Sequence, residues 1–583
     1  MKPINRYLKN IFFGLSLFAF LLLSFSCSDD DTNDPPDEEV DPELTVLVTG
    51  AALNAANGLD IGADGNLYIG SVNGQEIVVM DQVSGNIINR LREGVQSPDD
   101  VVFGPDGSLY WTDILTGEVG RRTPEGTVTK QAFLPGVNPI AFNEEGRLFV
   151  ALDFLGDGLY EFDPNLEEPP RPIIQASEAN PFPLGFFNAF DFGSDGRLYG
   201  PLFAANLVIA VDVGGPDDPP YTGTFMELVE AGTIEILAGI SGEFNNPASA
   251  KFGPDGLLYI LDQTGKLFTL DTGTGILTVV TDNLGAGLDN MVFDQDGSLF
   301  MTNNDEGWVA EILLPGGQAR ILSPGGMIVP QGIAVLAGSN NEDAVFISDL
   351  FSVREFNGST GQQESQYKGF LVPVPGEVTL TLSQNVSASG SDLVISSFFS
   401  STVQIWNPEN GVLEDFAEQV AAPIDAVRLN TGEVIVSDLG LGGVVRMSDN
   451  SQIVPLGVAS GMATDGESVW AADWATGDIV QINFEGGAPV TSVFNLGLEG
   501  PEGIALDLDG NLLVYETGAG RLTRIDDFAT GDRTILIEGL EPKAGGLPGF
   551  PPMWFFDGID VGPSGDIYIR GGGENVIYKI LNN

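Results

Sequence analysis

Histidine is absent from all 583 residues, and cysteine occurs once. The first absence removes the commonest general base, the Ser-His-Asp and Cys-His nucleophile systems, and the usual zinc, copper and haem ligand sets. The second removes any internal disulfide. Basic residues are also scarce, 24 Lys and Arg against 82 Asp and Glu, for a formal net charge of −58. Such a chain repels nucleic acid and anionic lipid, and suits divalent cations, cationic ligands or plain solubility in salty surroundings. Extended helical periodicity is missing from everything beyond the N-terminal segment, which disfavours helical repeats and α/β folds.

That N-terminal segment has its own logic. Basic residues up to Lys9 precede a nearly uncharged apolar stretch from Ile11 to Phe25, too short for a comfortable membrane span and right for a secretory signal. Leu23-Ser24-Phe25-Ser26-Cys27 resembles a loose lipobox, which implies lipidation of Cys27; the competing reading is a plain signal peptide with an incidental thiol. Ser28-Asp29-Asp30-Asp31 resembles the acidic signal that sends Bacteroidetes-type lipoproteins to the outer face of the outer membrane. Acidic residues and prolines fill the chain from Ser28 to Glu43, which cannot bury enough apolar surface to fold and reads as a tether. The expected segments are a lipoprotein signal peptide over 1–26 and an acylated tether over 27–43, with the membrane engaged through the lipid anchor only.

A repeat near forty residues long runs through the rest. Asn57-Gly58-Leu59-Asp60-Ile61-Gly62-Ala63-Asp64-Gly65-Asn66-Leu67-Tyr68 is followed by Asp99-Asp100-Val101-Val102-Phe103-Gly104-Pro105-Asp106-Gly107-Ser108-Leu109-Tyr110. Further copies centre on Glu145-Gly146, Asp195-Gly196, Asp255-Gly256 and Asp296-Gly297, and weaker ones reach Ser564-Gly565, about twelve in all. Each reads as a short apolar strand, an Asp-Gly hairpin and three more strands, the four-stranded unit of a β-propeller blade. The fold class is therefore all-β, tandem six-bladed β-propellers. A fourth-type strand, Leu44 to Thr49, stands before the first full repeat. If it closes the first ring against the third strand of the sixth blade, near Trp308 to Leu313, then Ala319 to Leu322 is freed to close a second ring against Asn575 to Ile580. That count gives propellers over 44–316 and 317–583; a single large ring is the competing count.

Propellers bring one repeat position from every blade to a central channel. In the first half that position carries Asn57, Asp99, Asn138, Asn188, Ala248 and Asp289; in the second, Gln331, Asp425, Glu502 and Asp557, with the eighth and tenth repeats not alignable. Converging side-chain oxygens suit a hard cation such as Ca²⁺. The same residue types also cap free backbone donors of a neighbouring blade and bind nothing.

Ala56-Asn57-Gly58-Leu59-Asp60, Pro98-Asp99-Asp100-Val101, Pro501-Glu502-Gly503-Ile504 and Asp557-Gly558-Ile559 resemble the metal-ligand segments of the gluconolactonase and senescence marker protein (regucalcin) family. NHL-type repeats, which mostly bind partners, share the likeness. The family resemblance implies a divalent metal at the channel mouth, with Asn57, Asn188 and Asp99 or Asp289 as ligands in one ring and Glu502 and Asp557 in the other; the converging ring position adds Asn138 to the candidate metal ligands. It implies a metal-dependent lactonase-type hydrolase in which Asp99 or Asp289 is catalytic and activates water. The sequence departs from the family in lacking its glutamate in the first ring and in the order of Asn and Asp around it. Two functions follow: an envelope lipoprotein that binds a metal or small ligand and opens a lactone or ester, or a surface-held, non-catalytic module for a glycan, peptide or envelope protein. Two apolar, Pro-rich insertions, Pro181 to Phe187 and Gly546 to Phe556, either roof a pocket or pack across a joint between propellers, with packing preferred.

Overall fold

A computed structural model describes residues 44–582, apart from 154, 179, 340–341, 371–377, 418, 485–487, 542–550 and 572–574. The signal segment, Cys27 and the acidic tether lie outside the described residues. Twelve four-stranded antiparallel sheets make up the fold, and two compact units hold six each. In each unit the innermost strands neighbour one another in cyclic order and the sixth meets the first, so each is a closed six-bladed propeller.

The blade follows from its sequence. At Asp106-Gly107 the Asp106 carboxylate accepts the Ser108 N–H at 2.9 Å and Gly107 takes φ of 78°, a conformation that costs glycine nothing. The strand after that turn, such as Leu109–Asp113 or Leu148–Leu152, is buried at every residue because neighbouring blades cover both its faces. Outermost strands, such as Ile276–Thr281, are half exposed, with no buried residue. Hydrophobic cores lie between blades: Tyr199 and Val208 of the fourth pack on Ala250, Leu258, Ile260 and Phe268 of the fifth.

Closure departs from the sequence-based count. Leu44–Thr49 does not pair with Val309–Leu313; it pairs with Val576–Ile580 as the fourth strand of the last blade. Gln318–Ser323 stays in its own blade, on Val309–Leu313. The sixth blade already has four strands of its own, whereas the twelfth has only Ile559–Val561, Ile567–Gly571 and Val576–Ile580 from its own stretch of sequence. The leading strand therefore fills the later vacancy. The units become Ala51–Ile328 on one side and residues 44–50 with Val329–Asn583 on the other, in place of 44–316 and 317–583. The first propeller is thus inserted, in sequence, between the closing strand and the body of the second. Its own ring closes without a shared strand, through packing of Phe300, Val309 and Leu322 of the sixth blade on Leu59, Leu67, Val78 and Met80 of the first and through hydrogen bonds such as that from Thr302 Oγ1 to Asn57 O at 2.6 Å.

Side chains staple blade to blade. Asp60 accepts the Phe103 N–H at 2.7 Å, Asp191 that of Phe252 at 3.0 Å and Asp560 that of Val335 at 2.7 Å. These are the carboxylates of the repeated apolar-Asp-apolar-Gly pattern. Among the described residues no helix is long and apolar enough to cross a membrane.

Candidate functional sites at the channel mouths

The ring position is set by a backbone irregularity. Where an inner strand begins, register slips between Pro98 and Asp100, Val137 and Ile140, Pro247 and Ser249, and Leu288 and Met291. Asp99, Asn138, Ala248 and Asp289 therefore stand out of the ladder, as bulged residues whose side chains are re-aimed. Asn57 and Asn188 reach the same level by donating their N–H to the second strand, at Gly70 O (2.9 Å) and Pro201 O (3.0 Å). All six positions chosen from the repeat thus occupy equivalent places in the first propeller.

Hydrogen bonds divide this ring into engaged and open oxygens. Asn57 donates from Nδ2 to Asp99 Oδ1 and to Asn304 Oδ1, both at 3.1 Å, while its own Oδ1 accepts the Val72 N–H at 3.2 Å. Asn188 Oδ1 accepts the Ala189 N–H at 2.8 Å and the Asn138 amide at 3.4 Å. Asn138 Oδ1 is buried and has no hydrogen-bond partner, and the Asp289 carboxylate accepts no hydrogen bond among the described residues. The oxygens left for a ligand are thus those of Asp289, Oδ2 of Asp99 and Oδ1 of Asn138. Asn57 and Asn188 orient their neighbours.

Beneath the ring lies a floor. Ser249 donates to Asn290 Oδ1 at 2.9 Å, and Asn290 Nδ2 donates to Asp100 Oδ1 at 3.1 Å, joining the sixth blade to the second. The other Asp100 oxygen accepts the Ile140 N–H at 3.1 Å. The link crosses Gly58, where an added Cβ would stand 2.1 Å from Asp100 Oδ1, so only glycine fits. Asp100, one residue beyond the ring, thus caps a backbone donor of the neighbouring blade, while within the ring Asn57 and Asn188 also accept backbone N–H groups.

Electrostatics single out the ring's two carboxylates. Burial first, and the Asp100 charge second, push Asp99 up to about 7. Asp289 is pushed strongly upward by burial and then by Asp99, Asp100, Asp305 and Asp153. Both shifts mark negative charge without local compensation. Among the described residues no three or more Asp, Glu, His or Cys side chains group closely enough to hold a metal, so any cation here needs amide oxygen as well. Asn304, Asp305 and Asp153 were not foreseen from the sequence, because they follow the second strands of their blades and share no position with the repeat's Asp-Gly core.

The second ring is built alike and used differently. Register breaks at Pro423/Asp425, Ala459/Met462 and Pro501/Ile504 put Ile424, Ser460 and Glu502 at the ring position, and Gln331, Gln384 and Asp557 complete it. Asp425 is one residue too far: it matches Asp100 and accepts the Met462 N–H at 2.6 Å. Gln384 and Ser460 are the members the weak eighth and tenth repeats had hidden. These side chains hold the second Pro-rich insertion. Gln384 Nε2 donates to Met553 O (3.1 Å) and Trp554 O (3.0 Å), Gln331 Oε1 accepts the Phe556 N–H (3.1 Å), and Glu502 Oε1 accepts the Asp557 N–H (2.7 Å). Met553 and Phe556 pack on Ile424, Phe398, Val458 and Trp474, all of the same propeller. The described part of the insertion is therefore a roof over its own channel, and the preference for packing at a joint gives way to it.

Of the two metal ligands expected in this ring, Asp557 forms a buried ion pair with Arg570 and Glu502 lies beside it, accepting the Asp557 N–H. The first insertion likewise joins its own unit: Leu184 and Phe187 enter the core of the third and fourth blades, and Asp157 accepts the Leu184 and Gly185 N–H groups at 2.8 Å.

No family model matches the sequence, and no curated protein matches it. Similar solved structures are a streptogramin B lyase (14% identity, 52% of this chain and 94% of that one, TM-score 0.36) and the extracellular domain of BT4673 from B. thetaiotaomicron (10%, 93% and 82%, TM-score 0.30). Another is PorZ, a surface component of the type-IX secretion system of Porphyromonas gingivalis (11%, 91% and 86%, TM-score 0.36). All are propeller-type proteins, and the likeness is one of fold.

Proposed function

We propose that this is an envelope-tethered binding protein whose first propeller takes a divalent cation, calcium by its chemistry, at the channel mouth. The observation that carries the reading is the Asp289 carboxylate, which has no hydrogen-bond donor among the described residues and four aspartates acting on it. Asp99 Oδ2 and the partnerless Asn138 Oδ1 complete an oxygen set that calcium, tolerant of irregular geometry, accepts. Two carboxylates balance a divalent ion, and Asn57 fixes Asp99 through the bond to Oδ1. The sequence supplies the location: a lipobox-like Cys27 and an acidic tether. A bound cation would also present open coordination positions to an oxygen-rich partner such as a glycan.

Calcium titration tests this. Ca²⁺ is expected to raise the unfolding temperature at pH 7.5, and Asp289→Asn to raise it without calcium while abolishing the calcium response. No calcium-dependent shift in the unsubstituted protein refutes the site.

One observation favours hydrolysis as a second reading. A carboxyl titrating at about 7, as Asp99 does, is matched to general-base work near neutrality. A panel of lactones with and without chelator separates the two, since chelator-sensitive turnover lost in Asp99→Asn requires the hydrolase.

A further inference from the structure

Nearly every cation of this acidic chain is matched. Among the described residues each Lys and Arg side chain has a hydrogen-bond or ion-pair partner, as Arg147 and Arg171 share Glu161, with the single exception of Lys266. Lys266 opens the third strand of the fifth blade, Lys266–Asp271, and is half-buried there. It also lines a cavity of about 350 Å³, together with Phe268, Leu277, Val279, Glu243 and Asp282. That volume lies in the range of small-molecule pockets.

Strand alternation builds the cavity. Lys266 and Phe268 are two residues apart, as are Leu277 and Val279 of the outermost strand, so each pair shares one face of the sheet. Phe268 is registered on Val279, which sets the two pairs side by side. Val280, left over by the register shift beside Phe268, packs instead into the core toward the sixth blade. Phe244 meets the Phe268 ring edge-on at 5.2 Å, which brings the adjacent Glu243 to the rim.

The lining divides by chemistry. Phe268, Leu277 and Val279 form an apolar floor, and Val279 is 53% exposed on it. The Lys266 ammonium is unspent. Asp282 accepts no hydrogen bond, and Glu243 accepts only that of the Ser241 N–H at 3.0 Å, so both keep oxygens for a positive group. A simple carboxylic acid would meet two repelling carboxylates here, and a simple amine would meet Lys266. A molecule with both charges and an apolar body matches the whole lining.

We propose that this cavity of the fifth blade binds a hydrophobic α-amino acid as its zwitterion. The ligand carboxylate sits on Lys266, its ammonium on Asp282 and Glu243, and its side chain on the floor of Phe268, Leu277 and Val279. The site shares no residue with the channel ring of the same propeller.

The test titrates the full chain with L-leucine by ligand-observed NMR, with chelator present so that no carboxylate is held through calcium. Saturable binding is expected. Glycine lacks the apolar side chain, leucinamide the carboxylate and N-acetylleucine the ammonium, and each is expected to bind about tenfold more weakly. Lys266→Met keeps the packing of the stem and is expected to weaken leucine about tenfold; Asp282→Asn, at an exposed position, weakens it roughly threefold. Absence of saturable leucine binding overturns the proposal. So does a leucine affinity unchanged in Lys266→Met, or one equalled by N-acetylleucine or leucinamide. The chelator takes calcium out of the readout, so this site and the cation ring fail separately.

Discussion

The inserted topology makes a prediction about which half of the molecule depends on residues 44–49. Leu44–Thr49 pairs with Val576–Ile580 over five registered residues, and Gly50 N donates to Asn575 O at 2.5 Å. Leu44 also packs against the core between the last two blades, with Leu536, Ile567 and Tyr578. Deleting 44–49 removes about five ladder hydrogen bonds at roughly 0.5–1.5 kcal/mol net each and exposes the edge of Val576–Ile580, a loss of about 3–6 kcal/mol. For a unit of this size that lowers the unfolding temperature by roughly 10–15 °C. Calorimetry of the deletion variant should show one transition shifted and another, from residues 51–328, unmoved. A fragment of 51–328 should fold cooperatively by itself, since each of its six blades has its four strands. A 329–583 fragment should regain stability when a peptide of residues 44–49 is added. Loss of protection at Val309–Leu313 in the deletion variant, measured by hydrogen exchange, would show that the leading strand closes the first ring and would refute the topology.

Three further outcomes follow from the sites. Because Asp99 and Asp289 have folded-state values raised above their unfolded ones, the folded state holds protons that the unfolded state releases. Their contribution favours folding below about pH 4 and is lost as pH climbs, through about 7 for Asp99 and through the strongly raised value of Asp289. Urea unfolding of Asp99→Asn and Asp289→Asn across pH 4–8 should show a flatter pH dependence than the unsubstituted chain. Phe556→Ala, at a fully buried ring in the roof, should cost the second propeller about 3–5 kcal/mol, read as a lower urea midpoint for that unit alone. Gly58→Ala should disrupt the Asn290–Asp100 link and destabilise the first propeller, checked by its unfolding temperature in the 51–328 fragment.

Periodicity and turn chemistry are local, and they carried the blade, the all-β class, the count of about twelve repeats and the ring positions Asn57, Asp99, Asn138, Asn188 and Asp289. Strand alternation and Asp-Gly turns act within a few residues, so a linear sequence displays them. Which strand fills which vacancy depended on pairing across 530 and more residues between Leu44 and Ile580, and no local feature of Leu44–Thr49 distinguishes one open edge from another. The difference between the rings mixes a contact within one blade with contacts between distant repeats. Arg570 reaches Asp557 from the neighbouring strand of the same blade, and the Met553–Phe556 roof settles on Gln384 and Ile424 from distant repeats. Asp or Glu at a ring position therefore specified a converging oxygen, while its charge balance, by guanidinium in one propeller and by none in the other, was decided only when the blades closed.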